Sequence, residues 1–373
     1  MQSAEKQGYG LDPYADWVAR EGVPVVEGVA LDLFNVQTAD WPRIGAKGAI
    51  TRFSGAGDYC SMFVIELPAG AATSPQQHLY EEIYFVLEGR GSTQIESADG
   101  SKRSFEWGRG SFFGIPLNAK YRHFNGSGSQ RALLCTTTTL PIMIKMIHNE
   151  EFIFECGFGF ADRTGKDEYY TGGGDLHMVR PGQNYWETNF VPNLFELELP
   201  EWEDRGKGST NINLAIADGV MHAHISEIAP ATYKKAHKHD GGTHVLTLSG
   251  GGYSLLWNEG EEGDFERVEW TFGTVFPPAD GQWHQHFVTT NEPSRYVATN
   301  FGGIRHPVLQ YRRDMVIGKP GQKQLLSKSS KEGGSQIEYE DQDPRIHQIW
   351  LQEMKKAGIT PQLVIPSAAR DSR

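Results

Sequence analysis

Four histidines stand in two pairs, His237 and His239 in HKHDGGTH and His284 and His286 in QWHQHF, each pair separated by one residue. In an extended strand that spacing sets both imidazoles on one face. Two such strands facing the inside of a sandwich converge three to five nitrogen donors on one point, and imidazole suits Fe, Ni, Cu, Zn and, less strongly, Mn. Seven of the 13 histidines fall between residues 222 and 286, a density that points to a metal site rather than to chance. His237, His239 and His284 are the first choice of ligands. His244 is a fourth ligand or an acid/base group beside the ion. His286 faces the same way as His284 and is able to replace it or to serve in the chemistry. His222 and His224 in MHAHIS also alternate, and are read as hydrogen-bonded histidines rather than ligands.

Strands that present such pairs must come from a β-rich chain, and the composition agrees. The 373 residues include 43 glycines and 19 prolines, high for a helical protein and suited to short strands joined by tight turns. Runs rich in Val, Ile, Phe and Tyr occur in two series. SMFVIEL, EIYFVLE, STQIES and RALLCTTTTL lie between 61 and 140; MHAHISEI, HVLTLSG, YSLLWNE, RVEWTF, QHFVTT and RYVATNF lie between 221 and 301. The two series match each other. GSFFGIPLNAKYRHF from Gly110 lies over GTVFPPADGQWHQHF from Gly273 without a gap, placing His123 on His286 and Tyr121 on His284. Upstream, Gln76 and His78 fall on His237 and His239. With one inserted residue, Glu82 falls on His244 and Gly89 on Gly251. The chain is therefore read as residues 1–48, an N-terminal arm with helical content near 12–21; 49–145, a first β domain; 146–210, a connector; 211–310, a second β domain; and 311–373, a tail. Within the tail, 318–336 is polar and expected to be mobile. Asp343-Pro344 opens a helix over 344–357 that Gly358 stops, with an apolar stripe that docks on the chain itself or on a partner.

These spacings resemble the two signature motifs of the cupin superfamily, G-x5-H-x-H-x3-4-E-x6-G and G-x5-P-x-G-x2-H-x3-N. His237, His239, His244 and Gly251 follow the first motif with His244 where the glutamate belongs; Gly273, the Pro277-Pro278 pair, Gly281 and His284 follow the second. Gln76, His78, Glu82 and Gly89, then Gly110, Pro116, Tyr121 and Asn125, repeat them with the first histidine and the motif-two histidine replaced. The resemblance covers about 50–140 and 212–302 and implies an all-β bicupin, two jelly-roll barrels flanked by the N-terminal arm and the C-terminal helix. It implies a metal held by His237, His239, His244 and His284. His78, Glu82 and His123 form a possible second, two-histidine one-carboxylate site, against which stands a decayed barrel with Gln76 and Tyr121 in former ligand positions. A histidine-only set leaves a divalent ion its full charge and suits an anionic, chelating substrate. By resemblance to ring-cleaving and diketone-cleaving cupins, it points to a non-haem Fe(II) dioxygenase acting on a small aromatic or enolisable carboxylate. The alternatives are a Mn- or Ni-dependent decarboxylase, isomerase or lyase, and a non-catalytic small-molecule-binding module.

Other features narrow the field. Tyr253, Trp257 and Arg295 flank the second motifs and are candidates for contacting substrate, Arg295 through a carboxylate. Trp283, Gln285 and Phe287 alternate with the histidines and are assigned to packing, while Lys234 and Lys235 in YKK are read as a solvated strand edge. The SGGGY and GGGD runs lack the strand–loop–helix context of a phosphate cradle, and no G-x-S-x-G nucleophile motif occurs. Acidic residues exceed basic ones 47 to 35, for a net charge of −12, which disfavours nucleic acid as partner. No apolar run reaches the roughly 18 residues of a membrane span, and the N-terminus has no apolar segment of a secretory signal. With three scattered cysteines, the expectation is a cytoplasmic protein, with a homodimer plausible from the usual pairing of bicupins.

Overall fold

The structure is a computed structural model that describes residues 10–54, 59–180, 183–261, 263–309 and 327–365. Its strands sort into two β-sandwich barrels, each with one large and one small sheet. In the first barrel the large sheet runs in spatial order Val25–Gly28, Ala46–Phe53, Ser61–Leu67, Ala132–Thr138, Glu82–Glu88, Phe112–Ile115 and Phe190–Val191. Facing it are Lys120–Asn125, Arg90–Glu96 and Lys102–Gly108. In the second, Asp175–Arg180, Gln183–Thr188, Thr210–Ile216, Met221–Ile228, Ser294–Phe301, His244–Ser249, Thr274–Phe276 and Leu31–Asp32 form the large sheet. Its small sheet is Glu266–Thr271, Gly251–Trp257, Trp283–Val288, Ala236–His237 and Gln336–Ile337.

The burial patterns explain the layering. EIYFVLE is buried along almost its whole length because both of its faces are covered. Tyr84 and Val86 point into the first barrel, while Ile83, Phe85 and Leu87 point to the seam where the two large sheets pack back to back. Across that seam lie Leu214, Ile216, Ile225, Leu246 and Val297 of the second barrel. The small outer sheets alternate instead: Phe105 and Trp107, and in the second barrel Val268 and Trp270, face inward while Glu106 and Glu269 face solvent.

Each barrel borrows an edge strand from outside its own stretch of chain. Leu31–Asp32, from the N-terminal arm, pairs with Thr274 and Val275 of the second barrel. Phe190–Val191, from the segment between the barrels, pairs with Phe112 and Phe113 of the first. The arm and connector are thus parts of the sheets, a role that short two-residue strands do not announce in their sequence. The helix Pro13–Glu21 is capped by Asp12 and buries Trp17 in the first barrel's core.

In the tail, residues 310–326 lie outside the described residues. Beyond them Gln336 pairs opposite His237 at the edge of the second barrel's small sheet. The helix Pro344–Ala357 begins at the Asp343 cap and ends at Gly358. It docks on its own chain, burying Ile346, Trp350 and Met354 against Tyr233, Tyr253 and Phe287. Among the described residues no helix is long and apolar enough to cross a membrane.

Candidate metal centre

The histidine pairs are brought together by a bulge that the pairing register reveals. Tyr233 bridges Phe287, and farther along His237 lies opposite His284. Four steps along one strand match three along the other, so one residue is extra and the facing direction reverses. Tyr233 and Phe287 therefore pack outward against the C-terminal helix, while His237 and His284 turn into the barrel. The first barrel has the same bulge, between the Ala72–Phe124 and Gln76–Tyr121 bridges.

Inside the second barrel, His237, His284 and His286 each offer a ring nitrogen, and these atoms lie within 4.8 Å of one another. The His237 and His284 rings stand 4.2 Å apart at 62°, and His286 is 5.5 Å from His284. His239 flanks them, 4.8 Å from His284, outside the mutually close group of three. The other ring nitrogen of each member has an oxygen partner. Nδ1 of His237 donates to the Lys235 carbonyl at 3.1 Å, and Nδ1 of His284 to the Gln282 carbonyl at 3.0 Å. A carbonyl only accepts, so both rings carry their proton on Nδ1 and leave the Nε2 lone pair free. His286 Nδ1 lies 2.8 Å from Ser254 Oγ, which also accepts the Trp270 indole N–H at 3.0 Å. His239 Nδ1 lies 3.3 Å from Thr243 Oγ1. Nδ1 anchors of this kind orient metal-bound imidazoles, so the donor set fits a divalent ion.

Electrostatics point the same way. Burial, then the nearby Arg205 charge and the neighbouring histidines, hold His237 far below the ordinary imidazole range. His286 is held down by burial and then by His284, Lys234, His224 and Arg205. Burial brings His284 to about 4, with Arg205 adding to it. The rings are thus neutral, the form that binds metal. Among the described residues, no carboxylate figures among the groups acting on these three.

His244 lies elsewhere. Val245 pairs with Phe276 as Tyr84 pairs with Phe113, so the two barrels superpose without the inserted residue expected from the sequence. Thr243, not His244, takes the place of Glu82, and Gly250 that of Gly89. A slip of one residue moves a side chain to the opposite face of its sheet. His244 accordingly points to the seam between barrels, its ring 5.3 Å from Phe53 and edge-on, its Nδ1 on the Gly242 carbonyl at 3.0 Å.

In the first barrel the corresponding positions form a closed hydrogen-bond cluster. Tyr84 and Tyr121 donate to Glu82 Oε2 at 2.5 and 2.6 Å, and His78 Nε2 lies 3.1 Å from the same oxygen. Burial alone would raise the Glu82 pKa, but His78 and the two phenols hold it below the usual carboxylate range. Gln76, at the place of His237, donates instead to the backbone carbonyls of Arg43 and Ser74. His123 repeats the arrangement of His286: its Nδ1 is 2.7 Å from Thr93 Oγ1, which accepts from Trp107 at 3.0 Å. Even the close packing is duplicated. A Cβ on Gly91 or Gly252 would sit 2.0 or 1.9 Å from a backbone carbonyl and against Trp107 or Trp270 respectively. His78, Glu82 and His123 are not among the groups of mutually close ligand atoms in the described residues. Tyr121 and the saturated Glu82 oxygen stand where a site would need open donors.

Tyr253 and Trp257 do not line the histidine site. Ser254 and Leu256 pair with His286 and His284, so their alternating neighbours face outward. Tyr253 stacks on Phe287 at 4.7 Å, and Trp257 lies edge-on to Phe265. Arg295 is committed to Glu227 and to the carbonyls of Leu194, Phe195 and Leu197. His222 and His224 face the barrel interior, with His224 5.9 Å from the Tyr296 ring.

Residues that sequence reasoning passed over complete the site. Lys234 is 1% exposed, not a solvated edge; the bulge turns it inward, and no sequence signal marks a bulge there. Ser254 and Trp270 were legible only through the matching Thr93 and Trp107 of the duplicated copy. Arg205, also buried, comes from the segment between the barrels.

Fold and site together define a bicupin fold, two jelly-roll barrels in one chain, with a histidine-lined interior in the second. No family model matches the chain, and no curated protein matches it. Solved structures of Bacillus subtilis oxalate decarboxylase OxdC are similar to it. An arginine-to-alanine variant of that enzyme shares 12% identity over 77% of this chain and 80% of that one, with a TM-score of 0.48. A tryptophan-to-phenylalanine variant shares 13% over the same proportions, also with a TM-score of 0.48. A third structure, from work on the Mn(II) centres of that enzyme, gives 13%, 77%, 80% and 0.48. A likeness of this degree says nothing of the reaction this chain performs.

Proposed function

We propose that the second barrel holds one divalent metal ion through Nε2 of His237, His284 and His286, with His239 alongside, and that the chain is a metal-dependent enzyme acting on a small anionic molecule. The observation that carries this is the buried trio of mutually close ring nitrogens, with Nδ1 of each ring bonded to an oxygen. Bound there among neutral ligands, a divalent ion supplies an undiminished double charge that polarises and chelates substrate oxygens. The chain's own contribution is to keep His237, His284 and His286 unprotonated, to fix the orientation of the four rings through Lys235, Gln282, Ser254 and Thr243, and to shield the site from water by the walls of the barrel.

The all-neutral ligand set favours Fe(II) and oxygen-dependent cleavage of an aromatic or enolisable carboxylate. A second reading, Mn- or Ni-dependent decarboxylation, isomerisation or lyase chemistry without oxygen, has its own support. Lys234 Nζ and Tyr296 OH, 3.0 Å apart, place proton-bearing groups inside the same barrel, where a carbanionic product would need one.

Metal analysis of the purified chain tests the common part. One equivalent is expected in the wild type, little in His286→Ala and an unchanged content in His244→Ala. Metal retained by His286→Ala, or none in the wild type, would overturn the assignment. Oxygen uptake during turnover separates the two reactions.

A further inference from the structure

We infer that Lys234 binds a second anionic group of the substrate, so that the molecule taken up by the second barrel is a compact dianion with one end at the histidines and the other at this ammonium. The inference rests on reading the second barrel as the site of an anionic substrate, and it adds the residue and the charge.

Lys234 is among the most completely buried side chains of the chain. Its Nζ donates to the Tyr296 hydroxyl at 3.0 Å and sits 4.9 Å from that ring. The Tyr296 ring in turn is 5.3 Å from His286, so the ammonium is one aromatic ring away from the ligand group. An ammonium has three donors, and Tyr296 takes one. Among the described residues no carboxylate pairs with Lys234, although other cations that are partly buried, Arg43, Arg163, Lys235 and Arg295, each have one. An unpaired charge in a protein interior is costly unless something compensates it.

The fold holds Lys234 there deliberately. Its backbone N–H bonds the His286 carbonyl at 3.0 Å, and its carbonyl accepts from Gln285 at 2.7 Å. Tyr339 of the C-terminal segment donates to the adjoining Tyr233 carbonyl, and Gln342 bonds the Gln285 amide. At the equivalent place in the first barrel, Thr73 bonds the His123 carbonyl through its backbone, with a short neutral side chain. The lysine therefore belongs only to the barrel with the histidine group. There a double charge at the histidines, the Lys234 ammonium and the nearby Arg205 charge make the barrel interior cationic, which favours a dianion over a monoanion.

The test uses the full chain loaded with Mn(II), titrated calorimetrically with malonate, acetate and acetamide, in wild type and in Lys234→Met. The wild type is expected to bind malonate at least tenfold more tightly than acetate, and Lys234→Met to lose that preference while binding Mn(II) as well as before. Lys234→Met is also expected to unfold at higher denaturant, since it replaces a buried amine that no carboxylate pairs, among the described residues, with an apolar chain of similar length. Should it not fold, Tyr296→Phe, which removes the group that orients the ammonium, is expected to weaken malonate several-fold and leave acetate unchanged. A malonate preference that survives in the folded variant overturns the inference. The same titrations on metal-free protein keep the two readings apart. Lys234-dependent malonate binding without any stoichiometric metal would sink the metal reading and leave this one standing. Metal binding with charge-blind affinity would do the reverse.

Discussion

The duplicated Trp–hydroxyl–His arrangement allows a paired experiment in which each barrel is the control for the other. Ser254→Ala removes the oxygen that accepts from Trp270 Nε1 and anchors His286 Nδ1. Leaving the buried indole N–H unsatisfied costs about 1–3 kcal/mol of stability. Loss of the Nδ1 anchor frees the His286 tautomer and ring angle, and losing such a partner lowers metal affinity by about 10–100-fold, or roughly 1.4–2.8 kcal/mol. Thr93→Val performs the same surgery in the first barrel, where Trp107 and His123 share the hydroxyl. It should cost a similar amount of stability and nothing in metal affinity. Urea unfolding of the metal-free proteins gives the first quantity, and competition with a chromogenic chelator gives the second. If Ser254→Ala binds metal within twofold of wild type, or if Thr93→Val weakens binding as much, the assignment of His286 as a ligand is wrong.

Further outcomes follow from the same geometry. His123, His244 and His284 have pKa values lowered by burial to about 4, and His237 and His286 lie well below the ordinary value. The unfolded chain protonates these rings below about 6.5 while the folded chain does not. Metal-free stability should then be flat in these groups above that pH and fall by about 1.4 kcal/mol per unit per histidine toward pH 4; urea midpoints that do not fall between pH 6.5 and 5 would contradict the burial. The double substitution Gln76→His with Tyr121→His places imidazoles beside His123 where the second barrel has His237 and His284, and it should raise metal content from one equivalent to two by elemental analysis. Trp350→Ala removes a fully buried side chain packed 5.0 Å from Tyr233 and should cost about 3–5 kcal/mol. Limited proteolysis would then cut within 344–357, and resistance equal to wild type would show that the helix is held by something else.

Much of this molecule is written in local pattern. Alternation in KRSFEWG and RVEWTF, the repeated H-x-H pairs, the gap-free match of Gly110–Phe124 with Gly273–Phe287 and the Asp-Pro start of the last helix are each legible within a dozen residues. They are legible because a strand or helix must show its period in the residues it buries. The all-β, two-barrel architecture followed from that pattern, as did the choice of His237, His239 and His284 as residues to examine.

What the pattern did not contain is parity. Whether a residue points into a barrel or to the seam depends on a single step of register, and that step is set by the partner strand. One inserted residue in the sequence match carried His244 into the site, and the pairing of Val245 with Phe276 puts it back against Phe53. One bulged residue between Tyr233 and His237 turned Lys234 from the surface to the interior. Arg205 and Gln336 reach the second barrel from segments with no periodicity of their own, because their positions are chosen by sheets formed elsewhere in the chain. The sequence alone determined which residues could bind a metal; the tertiary pairing decided which of them meet, since a side chain's face is a property of two strands and not of one.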